Sequence, residues 1–263
     1  MPELYLNRDV SARLARSGWP KIRGVAPGRV VKFCFAPAPE ACVPIAQRAD
    51  AVPVHRIYCV GRNYEAHARE MGATGREAPF FFCKPADAVL PADPGPITIP
   101  YPDRTADLQH EVELVVAIGA PGYRVTFAEA ARLIWGYAVG LDLTRRDLQA
   151  EMKRLGRPWE VGKGFDRSAP IGPVRPIGEV GELGARRIWL SVNGRVRQDS
   201  ELSRMIWSVE ETISQLSEFF ELVAGDLIFT GTPAGVGPLV PGDRIEAGVD
   251  GVGTIRVHVA ERA

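Results

Sequence analysis

The sequence lacks a long hydrophobic run and lacks closely spaced cysteines. Its longest uncharged stretch, Leu227 to Gly242, is interrupted repeatedly by glycine and proline, so it predicts no transmembrane helix. The four cysteines contain no C-x-x-C pair, which argues against a zinc knuckle and a disulfide framework. The N-terminus has no apolar core typical of a secretion signal. These absences together favour a cytoplasmic protein in a reducing compartment.

The sequence also lacks an excess of either charge. Lys+Arg and Asp+Glu both number 32, so no global field attracts the chain to nucleic acid or to an anionic membrane. A hydrophobic content of 46% and a charged content of 24% are ordinary for a soluble globular protein. The 263 residues suffice for one large domain or two small ones. Nucleic acid and membranes are therefore not the expected partners.

The segment HEVELVVAIG, His110 to Gly119, carries the clearest chemical signal. Its apolar part, Leu114 to Ile118, predicts a strand that is covered on both faces. Glu111 and Glu113 are two residues apart, and residues so spaced on a strand point to the same side. Two adjacent carboxylates need a cation or shared protons, and oxygen ligands suit Mg²⁺, Mn²⁺ or Ca²⁺. Two solvated glutamates at a strand end are the alternative interpretation.

A third carboxylate follows a second apolar strand. The capping box Thr126-x-x-Glu129 predicts a helix that runs to about Trp135. The next strand, Gly136 to Leu141, leads directly into Asp142. Three carboxylates with water in the remaining positions would form half of an octahedral metal site.

A histidine and a glutamate share one face of a predicted helix, Glu65 to Met71. His67 and Glu70 are three residues apart, and a carboxylate beside a histidine is the usual arrangement of a general base. Gly72 and Gly75 follow, which favours a short moving lid. An ordinary exposed pair on a short helix is the alternative.

Three further polar residues adjoin apolar strands or glycines. Lys84 ends the predicted buried strand Phe80 to Cys83, where it would either reach solvent or face a pocket. Lys163 lies between two glycines, which would let the backbone approach an anionic ligand, although a surface turn is the commoner role. Thr232 lies in the loop Gly231 to Gly237, which could bind a carboxylate or form a plain turn.

The remaining pattern predicts a mainly β fold. The sequence Ile188 to Arg197 predicts a hairpin with a type I′ turn at Asn193-Gly194. Ser208-x-x-Glu211 predicts a capped helix. Many short strands with few helices favour an α+β fold, mainly β, with a rolled or barrel-like core and flanking short helices.

The N-terminal residues are set apart from this pattern. Residues 1–29 show little apolar periodicity, and we expect an extension without a role in the chemistry. A mobile arm, a targeting segment and a misplaced start codon are alternative interpretations. Residues 30–263 form the expected catalytic domain, in which a first strand would begin at Val30 to Phe33.

With these residues in view, the chain resembles the fumarylacetoacetate hydrolase family, and within it the bacterial fumarylpyruvate hydrolases and acylpyruvases. The match runs in order from about Val30 to Val259. The matching segments are YCVGRNYEAHAREMG, FFFCKP, LQHEVELVVAIG, GLDLTRRDLQ, GRPWEVGKGFD, VNGRVRQ and LIFTGTPAGVG. The resemblance implies a mixed β-roll core, a homodimer, and a metal site at the mouth of the core.

The resemblance also assigns roles to residues. It implies metal ligands at Glu111, Glu113 and Asp142. It implies a water-activating pair on a mobile lid at His67 and Glu70. It implies a lysine beside the bound oxo acid at Lys163, and contacts to the carboxylate end of the substrate at Arg146, Gln149 and Thr232. Lys84 belongs to a recurrent motif and is counted among the expected substrate-binding residues, although its role there is less defined.

The implied reaction is metal-dependent hydrolysis of a carbon–carbon bond in a 2,4-dioxo acid. Fumarylpyruvate, cleaved to fumarate and pyruvate in gentisate breakdown, is the expected substrate, with Mg²⁺ as cofactor and Mn²⁺ or Ca²⁺ as alternatives. The rival functions are oxaloacetate decarboxylation, isomerisation or decarboxylation of a longer 2-oxo diacid, and non-catalytic binding of an oxo acid. A distal carboxylate on the substrate would need a cation, for which Arg62, Arg76 and Arg145 are candidates.

Overall fold

The computed structural model describes residues 35–36, 38–70, 76–93 and 95–261, with the backbone alone for residues 68–70. The chain divides after Pro39, and every element below belongs to the second unit, Glu40–Ala263. The expected first strand at Val30 to Phe33, the expected domain boundary after residue 29, and the glycines Gly72 and Gly75 lie outside the described residues.

The described part of the chain is mainly β. Its strands are β1 (Cys42–Pro44), β2 (Ala51–Pro53), β3 (Ile57–Gly61), β4 (Phe80–Lys84), β5 (Val89–Pro91), β6 (Ile97–Ile99), β7 (Leu108–His110), β8 (Val112–Ile118), β9 (Ile134–Leu141), β10 (Thr144–Arg145), β11 (Ala169–Ile171), β12 (Arg175–Pro176), β13 (Arg187–Val192), β14 (Arg195–Glu201), β15 (Leu227–Phe229), β16 (Gly237–Leu239), β17 (Arg244–Val249) and β18 (Gly253–Val259).

Short helices flank these strands. The α-helices are α1 (Glu65–Glu70), α2 (Phe127–Ala130), α3 (Arg146–Arg154), α4 (Glu160–Lys163), α5 (Ile177–Val180) and α6 (Val209–Ser217). Single 3₁₀ turns occur at Ala86–Ala88, Ala131–Leu133 and Leu202–Arg204. None of the helices in the described ranges has the length and apolar character needed to cross a membrane.

The central sheet is mixed, with the order β4-β3-β15-β8-β9-β11-β5 and with β12 paired to β9. β15 runs parallel to β3 and antiparallel to β8, which in turn is antiparallel to β9. A five-stranded sheet, β14-β13-β17-β18-β6, and two small sheets, β10-β7-β16 and β1-β2, complete the predicted mixed β-roll.

The central strand β8 is buried along its whole length, as its apolar run predicts. Leu114 and Val116 belong to one hydrophobic cluster, whereas Val115 and Ala117 belong to another. Alternate residues of a strand point to opposite faces, so β8 has packed apolar residues on both sides. This double burial fixes the position of the strand from which the acidic residues emerge.

Two predicted elements differ from the structure. Phe80 to Cys83 was predicted as a buried strand, but β4 lies at the sheet edge, with its phenylalanines half-buried and Cys83 exposed. The helix predicted to reach Trp135 stops at Ala130, and β9 begins at Ile134. Pairing of β9 with β8 outweighs the local helical preference of these residues.

The hairpin and the capped helix are confirmed. Asn193 and Gly194 have φ angles of 52° and 75°, as both central residues of a type I′ turn require. The Ser208 hydroxyl accepts the backbone N–H of Glu211 at 3.2 Å, and the Glu211 carboxylate accepts that of Ser208 at 2.9 Å. α6 therefore begins with the predicted capping box.

Candidate metal and substrate site

The ends of two adjacent strands bring three carboxylates together. Glu111 lies in the one-residue gap between β7 and β8, Glu113 is the second residue of β8, and Asp142 follows β9. The backbone N–H of Asp142 donates to the carbonyl of Glu111 at 2.9 Å, which fixes the two strand ends against each other. One carboxylate oxygen from each residue lies within 4.8 Å of the other two. All three side chains are buried.

Three cations surround two of these carboxylates. Lys163 Nζ lies 2.9 Å from Glu111 Oε2 and 2.7 Å from Asp142 Oδ2. Lys84 Nζ lies 2.7 Å from Asp142 Oδ1, and Arg146 donates to Glu111 Oε1. Buried charges are tolerated only when they are paired in this way. The charges of Glu111 and Asp142 are therefore already offset within the protein.

Glu113 has a different environment. Its Oε2 accepts the backbone N–H of Gly231 at 2.8 Å, and no cation pairs with it among the described residues. Burial raises the pKa of the Glu113 carboxyl well above its usual range, and the charges of Asp142 and Glu111 add to this effect. Burial also disfavours ionisation of Glu111, but Lys163 holds the pKa of that carboxyl below its usual range. Glu113 thus carries the least compensated charge of the three.

A second observation also fits a metal ion. Asp142 Oδ1 is buried and accepts no hydrogen bond from the part of the chain that the structure describes, although Lys84 Nζ is close to it. The Lys84 ammonium instead donates to the carbonyl oxygens of Leu143 and Lys163. A carboxylate oxygen without a donor, beside a carboxylate without a cation, suits a hard divalent ion with oxygen ligands. The donor set therefore fits Mg²⁺, Mn²⁺ or Ca²⁺.

Most of the predicted site residues line one cavity of about 30 Å³. These residues are His67, Glu111, Glu113, Asp142, Arg146, Gln149, Lys163 and Thr232. Lys84 lies behind the cavity, fully buried against Asp142. Glu70 belongs to α1, but its side chain lies outside the described part of the structure.

Neighbouring groups hold the polar side chains of this cavity in position. Arg146 Nε donates to Gln109 Oε1 at 2.8 Å, and its NH1 donates to Gln149 Oε1 at 2.6 Å. The Thr232 hydroxyl donates to the backbone carbonyl of the first residue of β8 and accepts from Gln198 Nε2 at 2.8 Å. These bonds hold a cation, an amide and a hydroxyl in fixed positions on the wall of one cavity.

Sequence reasoning missed the aromatic wall of the cavity, which consists of Phe80, Phe82 and Trp159. The Trp159 ring centroid lies 5.4 Å from that of Phe80 and 5.8 Å from that of Phe82. The signal was present, because Phe80 and Phe82 are two residues apart and share one side of β4. The prediction that β4 is fully buried did not include a role for these rings on the wall of a cavity.

Comparison with known proteins assigns this arrangement to a family. The family model described as Fumarylacetoacetate (FAA) hydrolase C-terminal matches residues 56–260. The oxaloacetate tautomerase of Mus musculus mitochondria is 44% identical over 203 residues, which cover 77% of this chain and 90% of that protein. The mitochondrial oxaloacetate decarboxylase of Dictyostelium discoideum is 40% identical over 199 residues, which cover 76% and 90%.

A solved structure is also similar to this chain. The fumarylpyruvate hydrolase of Pseudomonas aeruginosa, crystallised in complex with Mn²⁺ and pyruvate, is 51% identical in sequence. It superposes with a TM-score of 0.85 and covers 88% of this chain and 100% of that chain. The relatives therefore include proteins named for hydrolysis, for tautomerisation and for decarboxylation.

Proposed function

The chain belongs to the fumarylacetoacetate hydrolase family, and from this premise we propose that it is a metal-dependent hydrolase of 2,4-dioxo acids. Its proposed reaction converts fumarylpyruvate and water to fumarate and pyruvate, as a step of gentisate catabolism. The observation that carries the proposal is the buried carboxylate triad, which shares one cavity with His67 and Lys163. The similar Pseudomonas aeruginosa protein, which binds Mn²⁺ and pyruvate, supports it.

The metal and the oxo-acid end of the substrate have separate binding groups in this proposal. Glu111, Glu113 and Asp142 would hold a divalent ion, with Mg²⁺ as the proposed cofactor and Mn²⁺ or Ca²⁺ as alternatives. When bound, this ion supplies Lewis-acid stabilisation of negative charge on a substrate oxygen. The substrate carboxylate would bind to the side chains of Arg146, Gln149 and Thr232. Lys84 would keep Asp142 in place rather than touch the substrate.

The chemistry then uses two residues of the cavity. His67, oriented by Glu70 as α1 closes, removes a proton from water, and the resulting hydroxide oxygen bonds to carbon 4 of the substrate. The C3–C4 bond breaks when the C4 carbonyl re-forms, and its electron pair passes into the enolate of pyruvate. The Lys163 ammonium stabilises the charge on the enolate oxygen. A proton then adds to C3 and completes pyruvate.

Oxaloacetate chemistry is a second candidate because of the names of the similar Mus musculus and Dictyostelium discoideum proteins. Decarboxylation would use Lys163 to stabilise the same pyruvate enolate, but it needs no activated water. Dependence of the reaction on His67 therefore separates the two candidates. Isomerisation of a longer 2-oxo diacid and non-catalytic binding are weaker candidates, since neither explains the triad, His67 and Lys163 together.

Several broader expectations belong to the same proposal. Residues 30–263 would form the catalytic domain, with residues 1–29 as an extension outside the chemistry. The protein would act in the cytoplasm as a homodimer. Sedimentation analysis of the purified chain tests the dimer, because a monomer at micromolar concentration would contradict it.

Product analysis tests the reaction directly. Purified protein loaded with Mg²⁺ receives fumarylpyruvate, acetylpyruvate and oxaloacetate in parallel, and the products are identified by chromatography. Preferential formation of fumarate and pyruvate from fumarylpyruvate is the expected result. Release of CO₂ from oxaloacetate, with both dioxo acids untouched, would instead establish the second candidate.

A further inference from the structure

Arg62 lines the cavity but takes no part in the charge network around the triad. Its guanidinium carbon lies 5.7 Å from the centroid of the Phe80 ring, and its Nε atom is buried without a hydrogen-bond partner among the described residues. No carboxylate of the described residues pairs with it. A buried guanidinium nitrogen without an acceptor is costly, so its position beside a cavity points to an acceptor carried by a ligand.

The backbone holds Arg62 in an unusual conformation. Its φ of 57° lies in the left-handed region, which arginine rarely adopts. The next residue, Asn63, is fully buried and fixes this turn, because its Nδ2 donates to the carbonyls of Trp207 and Thr230. Its Oδ1 also accepts the backbone N–H of Trp207 at 2.8 Å. Strained residues that their surroundings hold firmly occur preferentially at ligand sites.

The other candidate arginines are already engaged. Arg76 forms an ion pair with Glu211 at 2.6 Å and stacks on the Trp207 ring at 4.2 Å. Arg145 stacks over the Phe165 ring at 4.4 Å and donates to the carbonyl of Val161 at 3.4 Å. Its Nε also lacks a hydrogen-bond partner among the described residues, but Arg145 does not line the cavity. Arg146 also lines the cavity, but it pairs with Glu111, and the proposed function assigns it to the carboxylate at the oxo-acid end of the substrate. Arg62 is therefore the cation of this cavity that is available to a second anionic group.

We propose that Arg62 binds the distal carboxylate of the substrate and selects dicarboxylic dioxo acids over those with an apolar tail. This inference rests on the proposed function and names the class of substrate. The planar conjugated chain of a fumaryl group would lie along the aromatic wall of Phe80, Phe82 and Trp159, with its terminal carboxylate on the guanidinium. Arginine suits this role because its planar fork binds a carboxylate through two hydrogen bonds.

The test compares kcat/KM for fumarylpyruvate and acetylpyruvate in the metal-loaded enzyme and in Arg62→Gln. Acetylpyruvate has the same reacting atoms but no distal carboxylate. The substitution should lower kcat/KM for fumarylpyruvate by about 30-fold or more, as loss of a buried charge partner does, and change that for acetylpyruvate less than about threefold. Retained acetylpyruvate turnover shows that the variant folds. Arg62→Lys should restore part of the preference, whereas Arg76→Gln and Arg145→Gln should keep all of it.

Equal losses for both substrates would overturn the inference, because Arg62 would then only support the fold. Loss of the preference in Arg76→Gln or Arg145→Gln, with the preference kept in Arg62→Gln, would also overturn it. If the natural protein hydrolyses neither dioxo acid, the proposed function fails, and a binding measurement decides the inference separately. Fumarate should then bind more tightly than its monocarboxylate analogue crotonate, and Arg62→Gln should abolish this difference. A difference that persists in the variant would overturn the inference.

Discussion

Glu113 and Asp142 differ in how the surrounding protein compensates their charges. Asp142 lies between two buried lysines, whereas Glu113 receives a backbone N–H and no ammonium group from the described residues. Replacing the carboxylate at each position with an amide therefore has different consequences for the unliganded fold. Breaking a buried ion pair leaves an uncompensated charge, whereas neutralising an unpaired carboxylate relieves repulsion. Substitutions at these two positions therefore distinguish an effect on metal affinity from an effect on the stability of the fold.

Glu113→Gln should remove metal binding and leave the fold intact. The glutamine oxygen can still accept the N–H of Gly231, and no cation loses a partner. We expect the affinity for Mn²⁺ to fall more than about 100-fold, since even groups behind a metal ligand contribute about 10- to 100-fold. The free energy of unfolding without metal should change by less than about 1 kcal/mol. Calorimetric titration with Mn²⁺ and urea denaturation measure the two quantities.

Asp142→Asn is the matched comparison. It leaves Lys84 and Lys163 beside a neutral amide, so the unfolding free energy should fall by about 3–5 kcal/mol together with the loss of metal affinity. Full Mn²⁺ affinity in both variants would remove the carboxylate triad from the proposal. If Glu113→Gln lowers stability and Asp142→Asn does not, Glu113 rather than Asp142 is the carboxylate that the fold depends on for charge pairing.

His67 tests the proposed water activation. His67→Gln removes the base but keeps a polar side chain of similar size on α1. We expect kcat for fumarylpyruvate hydrolysis to fall about 10²- to 10⁴-fold, with pyruvate binding to the metal-loaded protein nearly unchanged. Steady-state kinetics and a pyruvate titration measure these effects. Normal turnover in the variant would contradict the role of His67 as the base. If the variant loses hydrolysis but still decarboxylates oxaloacetate normally, the site carries out two reactions, and only hydrolysis requires His67.

At the scale of elements, β9 sets the position of Asp142. Gly140 of β9 pairs with Glu113 of β8, and a methyl group there would lie 2.6 Å from the Phe229 ring and 2.7 Å from Val115. Gly140→Ala should therefore destabilise the fold by about 1–3 kcal/mol through overpacking. It should also weaken Mn²⁺ binding, because the strand end that carries Asp142 must shift.

Gly253→Ala provides the control for this substitution. Gly253 begins β18, and a methyl group there meets no heavy atom within 4 Å. Its stability and Mn²⁺ affinity should stay close to those of the natural chain, as measured by urea denaturation and calorimetry. If Gly140→Ala behaves like Gly253→Ala, the packing of β8, β9 and β15 does not position the metal site.

Asp226, directly before β15, predicts a pH dependence of stability. Burial raises the pKa of the Asp226 carboxyl, although the N–H of Val223 and the His55 ring act in the opposite direction. Because the folded state holds this proton more tightly than the unfolded chain, stability falls as pH rises from about 4 through the raised pKa. Asp226→Asn should remove this loss, so the variant gains stability relative to the natural chain between pH 3.5 and pH 7. Urea denaturation of both proteins at pH 3.5 and pH 7 measures this gain. If the stability of the variant relative to the natural chain is the same at both pH values, the raised pKa of Asp226 is contradicted.

The sequence predicted those elements whose signals are local. The continuous apolar run of β8 and the Asn193-Gly194 turn depend on neighbouring positions alone, and both predictions are confirmed. The end of α2 and the edge position of β4 depend on which strands pair, which no local pattern encodes. The same limit applied to the site. The spacing of Glu111 and Glu113 in the sequence was sufficient to predict that their carboxylates lie together. The approach of Lys84 and Lys163 to Asp142 arises from tertiary packing, which no local pattern shows.

At the scale of the whole molecule, the proposed site uses only part of the chain. The residues that line its cavity run from Val60 to Thr232, and the family match spans residues 56–260. The second compact unit begins at Glu40, and its first strand, β1, contributes Val43 to the core. A catalytic domain that starts after residue 29 therefore includes every element that supports the site.

Deletion of residues 1–29 should leave catalysis and stability unchanged. We expect kcat/KM for fumarylpyruvate to stay within about twofold and the melting temperature to change by less than about 4 °C, which corresponds to roughly 1 kcal/mol in a chain of this size. Deletion of residues 1–45 is the contrasting variant, because it removes β1, buried Val43 and the bridge from Ile45 to Val174. That variant should lose at least about 2 kcal/mol of stability, since it removes buried aliphatic side chains. A tenfold loss of kcat/KM in the shorter deletion would instead give the N-terminal residues a part in the site.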